Sequence, residues 1–103
     1  EPRRIDAAAI PSLVEQLPGF KLKLSKNGEL VEEGSGKNSL RSPALCLAEL
    51  GAAIARQPGG EPLAGGELIS SGTLTNSVPI RAGETWRAEV AGLDLAPVTL
   101  RTV

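Results

Sequence analysis

The sequence contains no histidine, no methionine and no tyrosine, and one residue each of cysteine, tryptophan and phenylalanine. Without histidine, the chain by itself cannot build a Ser-His-Asp triad, a Cys-His dyad or a histidine-ligated metal site. The single thiol, Cys46, allows neither an internal disulfide nor a cysteine-rich zinc site. It stands among Leu45, Leu47 and Ala48, a setting that predicts a buried structural thiol. With aromatics at 2% of the chain, the core is expected to be built from Leu, Val, Ile and Ala. Nucleic-acid binding is not expected: the net charge is −1, no basic stripe is present, and aromatics for base stacking are nearly absent. No apolar run approaches the roughly 20 residues of a membrane helix. Glu1-Pro2-Arg3-Arg4 is not followed by a signal-peptide core. A soluble protein of a reducing, cytoplasmic compartment is therefore expected. The missing initiator methionine predicts a processed, tag-cleaved or proteolysed product.

What is present reads as a small globular unit. The 103 residues are 41% hydrophobic and 22% charged, enough for one domain or part of a larger one. Residues 1–19 form a helical or irregular lead-in, in which Asp6 could cap a turn and Leu13, Val14 and Leu17 share a face. Phe20 to Ser25 alternates with period two, Asn27-Gly28 is a hairpin turn, and Glu29 to Glu33 is the return strand. Gly34-Ser35-Gly36 predicts a bend or bulge. Ser42-Pro43 opens the main helix, about 43–57, whose alanines suit close packing on a sheet, and Pro58-Gly59-Gly60 ends it. Glu67 to Ser71 reads as a strand and Val78-Pro79-Ile80 as a short extended edge piece. Thr85 to Val90 is a strand with Trp86, Ala88 and Val90 on one side. Val98 to Val103 is a final strand with Val98 and Leu100 inward. The order predicts an α+β fold, a β-rich mixed or antiparallel sheet with one main helix against it.

Few residues promise chemistry. Glu32 and Glu33 are adjacent, so on a strand they face opposite sides and should not converge on one ion. Glu61, Glu67, Glu84 and Glu89 are isolated and read as solvated. Gly34-Ser35-Gly36-Lys37 lacks the glycine-to-lysine spacing of a phosphate loop. The segment Glu67 to Ser77 is more informative. Gly72 lets the backbone turn, and Thr73 and Thr75 set hydroxyls beside exposed amides, donors that could hold a carboxylate or keto-acid oxygen. An ordinary turn with threonine hydroxyls capping the backbone is the competing reading.

Several segments in this order resemble a known family. Leu24-Ser25-Lys26-Asn27-Gly28 and Val31-Glu32-Glu33-Gly34-Ser35-Gly36-Lys37-Asn38-Ser39-Leu40 lead to the Ser42-Pro43 helix start. Leu63-Ala64-Gly65-Gly66-Glu67-Leu68-Ile69 and Ser71-Gly72-Thr73-Leu74-Thr75 follow, then Pro79-Ile80, Gly83-Glu84 and Gly92-Leu93. Together they resemble the C-terminal portion of the 2-keto-4-pentenoate hydratase-like family of the fumarylacetoacetate hydrolase superfamily. Ser70-Ser71 departs from a commoner Thr-rich pair, and Asn76 stands where Asp or Ala is frequent. The resemblance implies a β-rich fold and a lyase that hydrates a 2-hydroxydienoate through its 2-keto tautomer. It implies Mg²⁺ or Mn²⁺ in the full-length family protein and self-association into a homo-oligomer. It places the metal carboxylates and most acid–base residues upstream, so no catalytic or metal residue is assigned here and no metal is expected on this chain alone. Gly72, Thr73 and Thr75 are the substrate-binding candidates, with a small 2-keto acid as ligand only when the missing N-terminal part is present. A family-derived structural or assembly module is the alternative.

Overall fold

The computed structural model describes residues 2–103, and its ordered centre grows from one turn. Asn27 and Gly28 have φ of 51° and 86°, the pair of positive values that a type I′ hairpin turn demands. The turn joins β1 (Lys21–Lys26) to β2 (Glu29–Ser35) as an antiparallel hairpin. The free edge of β1 pairs with β3 (Thr85–Ala91), which pairs with β4 (Val98–Arg101). The result is a four-stranded antiparallel sheet in the order β2-β1-β3-β4. Asn27 also ties the turn to β3: its N–H donates to the Thr85 carbonyl at 2.8 Å, and its Oδ1 accepts the Thr85 N–H at 2.9 Å.

The predicted glycine bulge lies elsewhere. Leu24 pairs with Glu32 and Ser25 with Leu30, so the extra residue is Val31, and β2 runs on through Gly34 to Ser35. The glycines serve close approach instead. A Cβ on Gly36 would sit 1.7 Å from the Leu17 carbonyl oxygen and 2.7 Å from the Phe20 ring. A Cβ on Gly34 would sit 2.3 Å from the Leu74 carbonyl oxygen. One loop thus lies on the Phe20 end of the sheet, and another on β2.

The helices start and stop as their caps dictate. The lead-in is a 3-10 turn, Ala7–Ala9, followed by α1, Ile10–Gln16, with Pro11 in its first turn. Asp6 makes no side-chain cap bond. Val14, expected inward, is 45% exposed. The main helix, α2, is Pro43–Arg56; the Ser42 hydroxyl accepts the Ala44 N–H at 3.3 Å, and Gln57 leaves helical geometry.

Other expectations are corrected by the packing. Phe20 and Trp86, each 6% exposed, are the buried apolar side chains among the described residues, so the sparse aromatics and not the aliphatics form the core. Their size explains this, because a large rigid ring can be enclosed by a single layer and two glycine-lined loops. The main helix does not pack across the sheet; it faces the irregular segment 63–72 through Leu47, Leu50 and Ile54. Glu67 to Ser71 is no strand, because it pairs with no edge of the sheet, and Leu68 lies fully exposed. Val78 to Ile80 is likewise outside the sheet. Val98 and Leu100 do share the Trp86 face by register, yet with nothing laid over β4 they are 68% and 57% exposed.

The surface records this missing layer. The chain exposes 7961 Å², against about 5,500 Å² for a folded monomer of its mass. Its radius of gyration is 15.8 Å, against roughly 13 Å for a compact domain of this length. The apolar face of the sheet and the helix face remain available for further structure. No helix among the described residues is long and apolar enough to cross a membrane.

The tight approach at Gly36 sets a test. Gly36→Ala is expected to cost roughly 1–3 kcal/mol of unfolding free energy. Gly65→Ala, whose Cβ would meet open space, should leave stability unchanged or raise it by about 0.4–1 kcal/mol. Urea denaturation of both variants measures the contrast.

Candidate functional site

The loop Gly72 to Asn76 has no regular structure of its own, so its position comes from β2 and the residues that follow it. Gly34 admits the Leu74 carbonyl against the strand. The Asn38 side-chain amide donates to that same carbonyl at 2.9 Å. Asn76 Nδ2 reaches Glu32 Oε1 at 3.4 Å. Between loop and strand lies an open cavity of about 310 Å³, lined by Thr73, Thr75, Asn76, Asn38, Glu32 and Glu33.

Two of the three residues expected to bind ligand meet here. Thr73 and Thr75 line the cavity, whereas Gly72 belongs to a neighbouring recess with Cys46, Leu47, Leu50 and Ile69. Thr73 is exposed. The Thr75 hydroxyl is half-buried and donates to the Asn76 carbonyl at 3.1 Å, as a turn-capping threonine does. Cys46 lies half-buried in its recess rather than sealed in a core.

Sequence reasoning missed Asn38, Glu32 and Glu33. Both glutamates line this one cavity at the outer edge of the sheet, and the Glu32 carboxylate reaches Asn76. The cavity is therefore rimmed with negative charge. Beside it, sharing Glu33 and Asn38, is a groove of about 430 Å³ lined by Lys21, Lys23 and Lys37. An anion near Thr73 meets repulsion from the glutamates and attraction from the lysine groove. At surface separations of about 4 Å these terms are of order 1–4 kcal/mol per charge pair.

The chain's own donors do not fit a resident divalent cation. Among the described residues, no three of His, Cys, Asp and Glu gather where an ion could be held. Magnesium needs near-octahedral oxygen ligation, which Glu32 and Glu33 with a hydroxyl or amide do not complete. The Gly34 to Lys37 stretch is also no anion cradle: the Gly36 N–H is spent on the Phe20 carbonyl at 3.1 Å, and the Lys37 N–H on that of Pro18 at 3.0 Å.

No protein-family model matches the chain. Individual proteins do. The chain is 36% identical over 70 residues to a 4-oxalocrotonate decarboxylase of a Pseudomonas species, covering 68% of this chain and 26% of that protein. It is 34% identical over 70 residues to a 2-keto-4-pentenoate hydratase of Paraburkholderia xenovorans, covering 68% and 25%. The fold matches the solved 4-oxalocrotonate decarboxylase from Pseudomonas putida with a TM-score of 0.76 at 31% identity, over 85% of this chain and 32% of that one. That enzyme was solved with calcium and acetate, and with magnesium and adipate. An antiparallel α+β unit with this likeness falls in the fumarylacetoacetate hydrolase superfamily, as the hairpin and helix order implied. Within it, the chain belongs to the 2-keto-4-pentenoate hydratase-like family. It spans about a quarter of the length of the curated relatives it matches.

The acidic residue of the Gly83-Glu84 motif proves to be scaffold. Glu84 Oε2 accepts the Arg81 N–H at 2.9 Å and the Trp86 indole N–H at 3.1 Å, and Lys26 Nζ lies 3.8 Å from Oε1. The same ammonium is 5.9 Å from the Trp86 ring centroid. The Thr102 hydroxyl accepts the Glu84 N–H at 2.9 Å, closing the turn against the end of β4. The Arg81 backbone N–H, opposed by partial desolvation and helped by Trp86, Lys26 and Arg81, holds the Glu84 carboxyl below its ordinary value of 4.5. A lowered folded-state value contributes stability above the ordinary value, and that contribution is lost as pH falls through the folded one. Glu84→Gln should therefore be less stable than the parent at neutral pH, and the two melting temperatures should converge as pH drops below 4.5. Thermal melts at a series of pH values read this directly.

Proposed function

We propose that this chain is the C-terminal part of a hydratase-like lyase that acts on a 2-hydroxydienoate or related 2-keto acid with a divalent metal, Mg²⁺ or Mn²⁺. The observation that carries the reading is the Thr73–Thr75 loop, held against β2 by the Asn38 amide and lining an open cavity. In this reading Thr73 donates to a substrate oxygen, with Gly72 and Thr75 shaping the loop around it. A hydrogen bond to a charged oxygen contributes roughly 1.5–3 kcal/mol. The metal ligands and acid–base groups come from structure outside these residues, which also covers the exposed faces of the sheet and main helix. The lysine groove offsets the glutamate rim as the anion enters. Cytoplasmic location and homo-oligomeric assembly belong to the same reading.

A non-catalytic structural or assembly module of this family is the second reading. The exposed apolar side chains Val98 and Leu100 on the sheet, and Leu68 outside it, favour it, because exposed apolar surface is suited to association.

The two readings separate on the protein isolated from its source cells. A mass well above 10.6 kDa, with loss of 2-hydroxydienoate absorbance that needs Mg²⁺ or Mn²⁺, supports the enzyme. Thr73→Val should then lower kcat/KM by about tenfold or more, the worth of one charge-assisted hydrogen bond. A mass near 10.6 kDa without that reaction supports the module.

A further inference from the structure

The loop that carries Thr73 is fastened by a side chain to which the sequence reading gave no role, and the geometry points to Asn38 as a positioning residue for ligand binding at Thr73 and Thr75. The inference rests on the reading of that loop as the substrate-binding element. Asn38 ends the short 3-10 turn Gly36–Asn38, directly after β2. A backbone carbonyl can only accept, so the Asn38 amide must present Nδ2 to the Leu74 oxygen, and it does so at 2.9 Å. Leu74 lies between the two threonines, so holding its carbonyl fixes the Leu74–Thr75 peptide plane and limits how far the backbone at Thr73 and Thr75 can move. Gly34 leaves the space that lets this carbonyl reach the strand. The remaining side-chain tie, Asn76 to Glu32, is long at 3.4 Å and set at the far end of the loop. The turn that holds Asn38 is itself rigidly placed. The Lys37 N–H bonds the Pro18 carbonyl, and the Ser39 N–H bonds that of Gly36 at 3.2 Å. Asn38 therefore couples a loop without regular structure to the firmest part of the chain. A preorganised loop binds more tightly because less ordering remains to be done on binding.

The test uses nuclear magnetic resonance on the complete protein that carries these 103 residues in its source cells. Backbone order parameters are measured for Thr73 to Asn76, and 2-oxopentanoate is titrated with Mg²⁺ present. Asn38 is exposed, so Asn38→Ala and Asn38→Asp should fold, and unchanged order parameters in β1 and β3 verify this. The expected result is a loop near 0.85 in the parent and below about 0.6 in both variants. Affinity for 2-oxopentanoate should fall about tenfold. Asn38→Gln, which keeps the donor amide, should restore part of both. Unchanged loop order in Asn38→Ala and Asn38→Asp overturns the inference. So does a loosened loop with unchanged affinity. If the loop loosens but the parent chain binds no 2-oxopentanoate, the anchoring stands and the substrate-binding reading of the loop is the part that fails.

Discussion

Strand β1 is hydrogen-bonded along both edges, to β2 on one side and β3 on the other, and the rest of the sheet is built out from it. The pairing with β2 is local, closed by the Asn27-Gly28 turn. The pairing with β3 spans some sixty residues and is secured at the turn by reciprocal bonds between Asn27 and Thr85. Long-range pairing of this kind has to repay loop-closure entropy, and the residues that repay it are the two aromatics. Phe20 leads into β1, its backbone against Gly92 and its ring against Gly36; Trp86 lies opposite Lys26 on β3.

The candidate site inherits its geometry from this hairpin. Its wall is the outer edge of β2, its hinge is the turn after β2, and its donors come from a loop that would otherwise wander. Glutamates on one side and lysines on the other give the rim a steep change of charge. In the proposed function, that arrangement would orient an anion as it approaches, a contribution made mainly to rate and orientation. The proposed reading of this edge as one part of a larger site accords with the chain's span of about a quarter of its relatives.

Much of the fold was legible in residue order because the relevant signals are local. An Asn-Gly pair between alternating segments specifies a type I′ hairpin through backbone sterics. Ser42 before Pro43 specifies a helix start through an unsatisfied N–H and a preset φ. Trp86, Ala88 and Val90 do share a face. The same alternation misled at Val98 and Leu100, since period two reports which side a residue faces and not whether anything covers that side. Glu67 to Ser71 has strand composition but no partner, and a strand exists only as part of a pair. At the site, Thr73 and Thr75 could be seen as a polar loop with donors. Asn38 and Glu32 could not, because their partners lie 36 and 44 residues away and no spacing rule connects them.

The sequence by itself determined the hairpin, the helix limits, the exclusion of histidine and disulfide chemistry, and the family, because each depends on residue identity or short-range geometry. Only the tertiary structure decided that two aromatics form the core, that the glycines after Glu33 make room for neighbouring loops, and that a carboxylate rim and an asparagine tether surround Thr73. Those outcomes depend on which distant backbones come within a few ångströms of one another, a matter settled by packing.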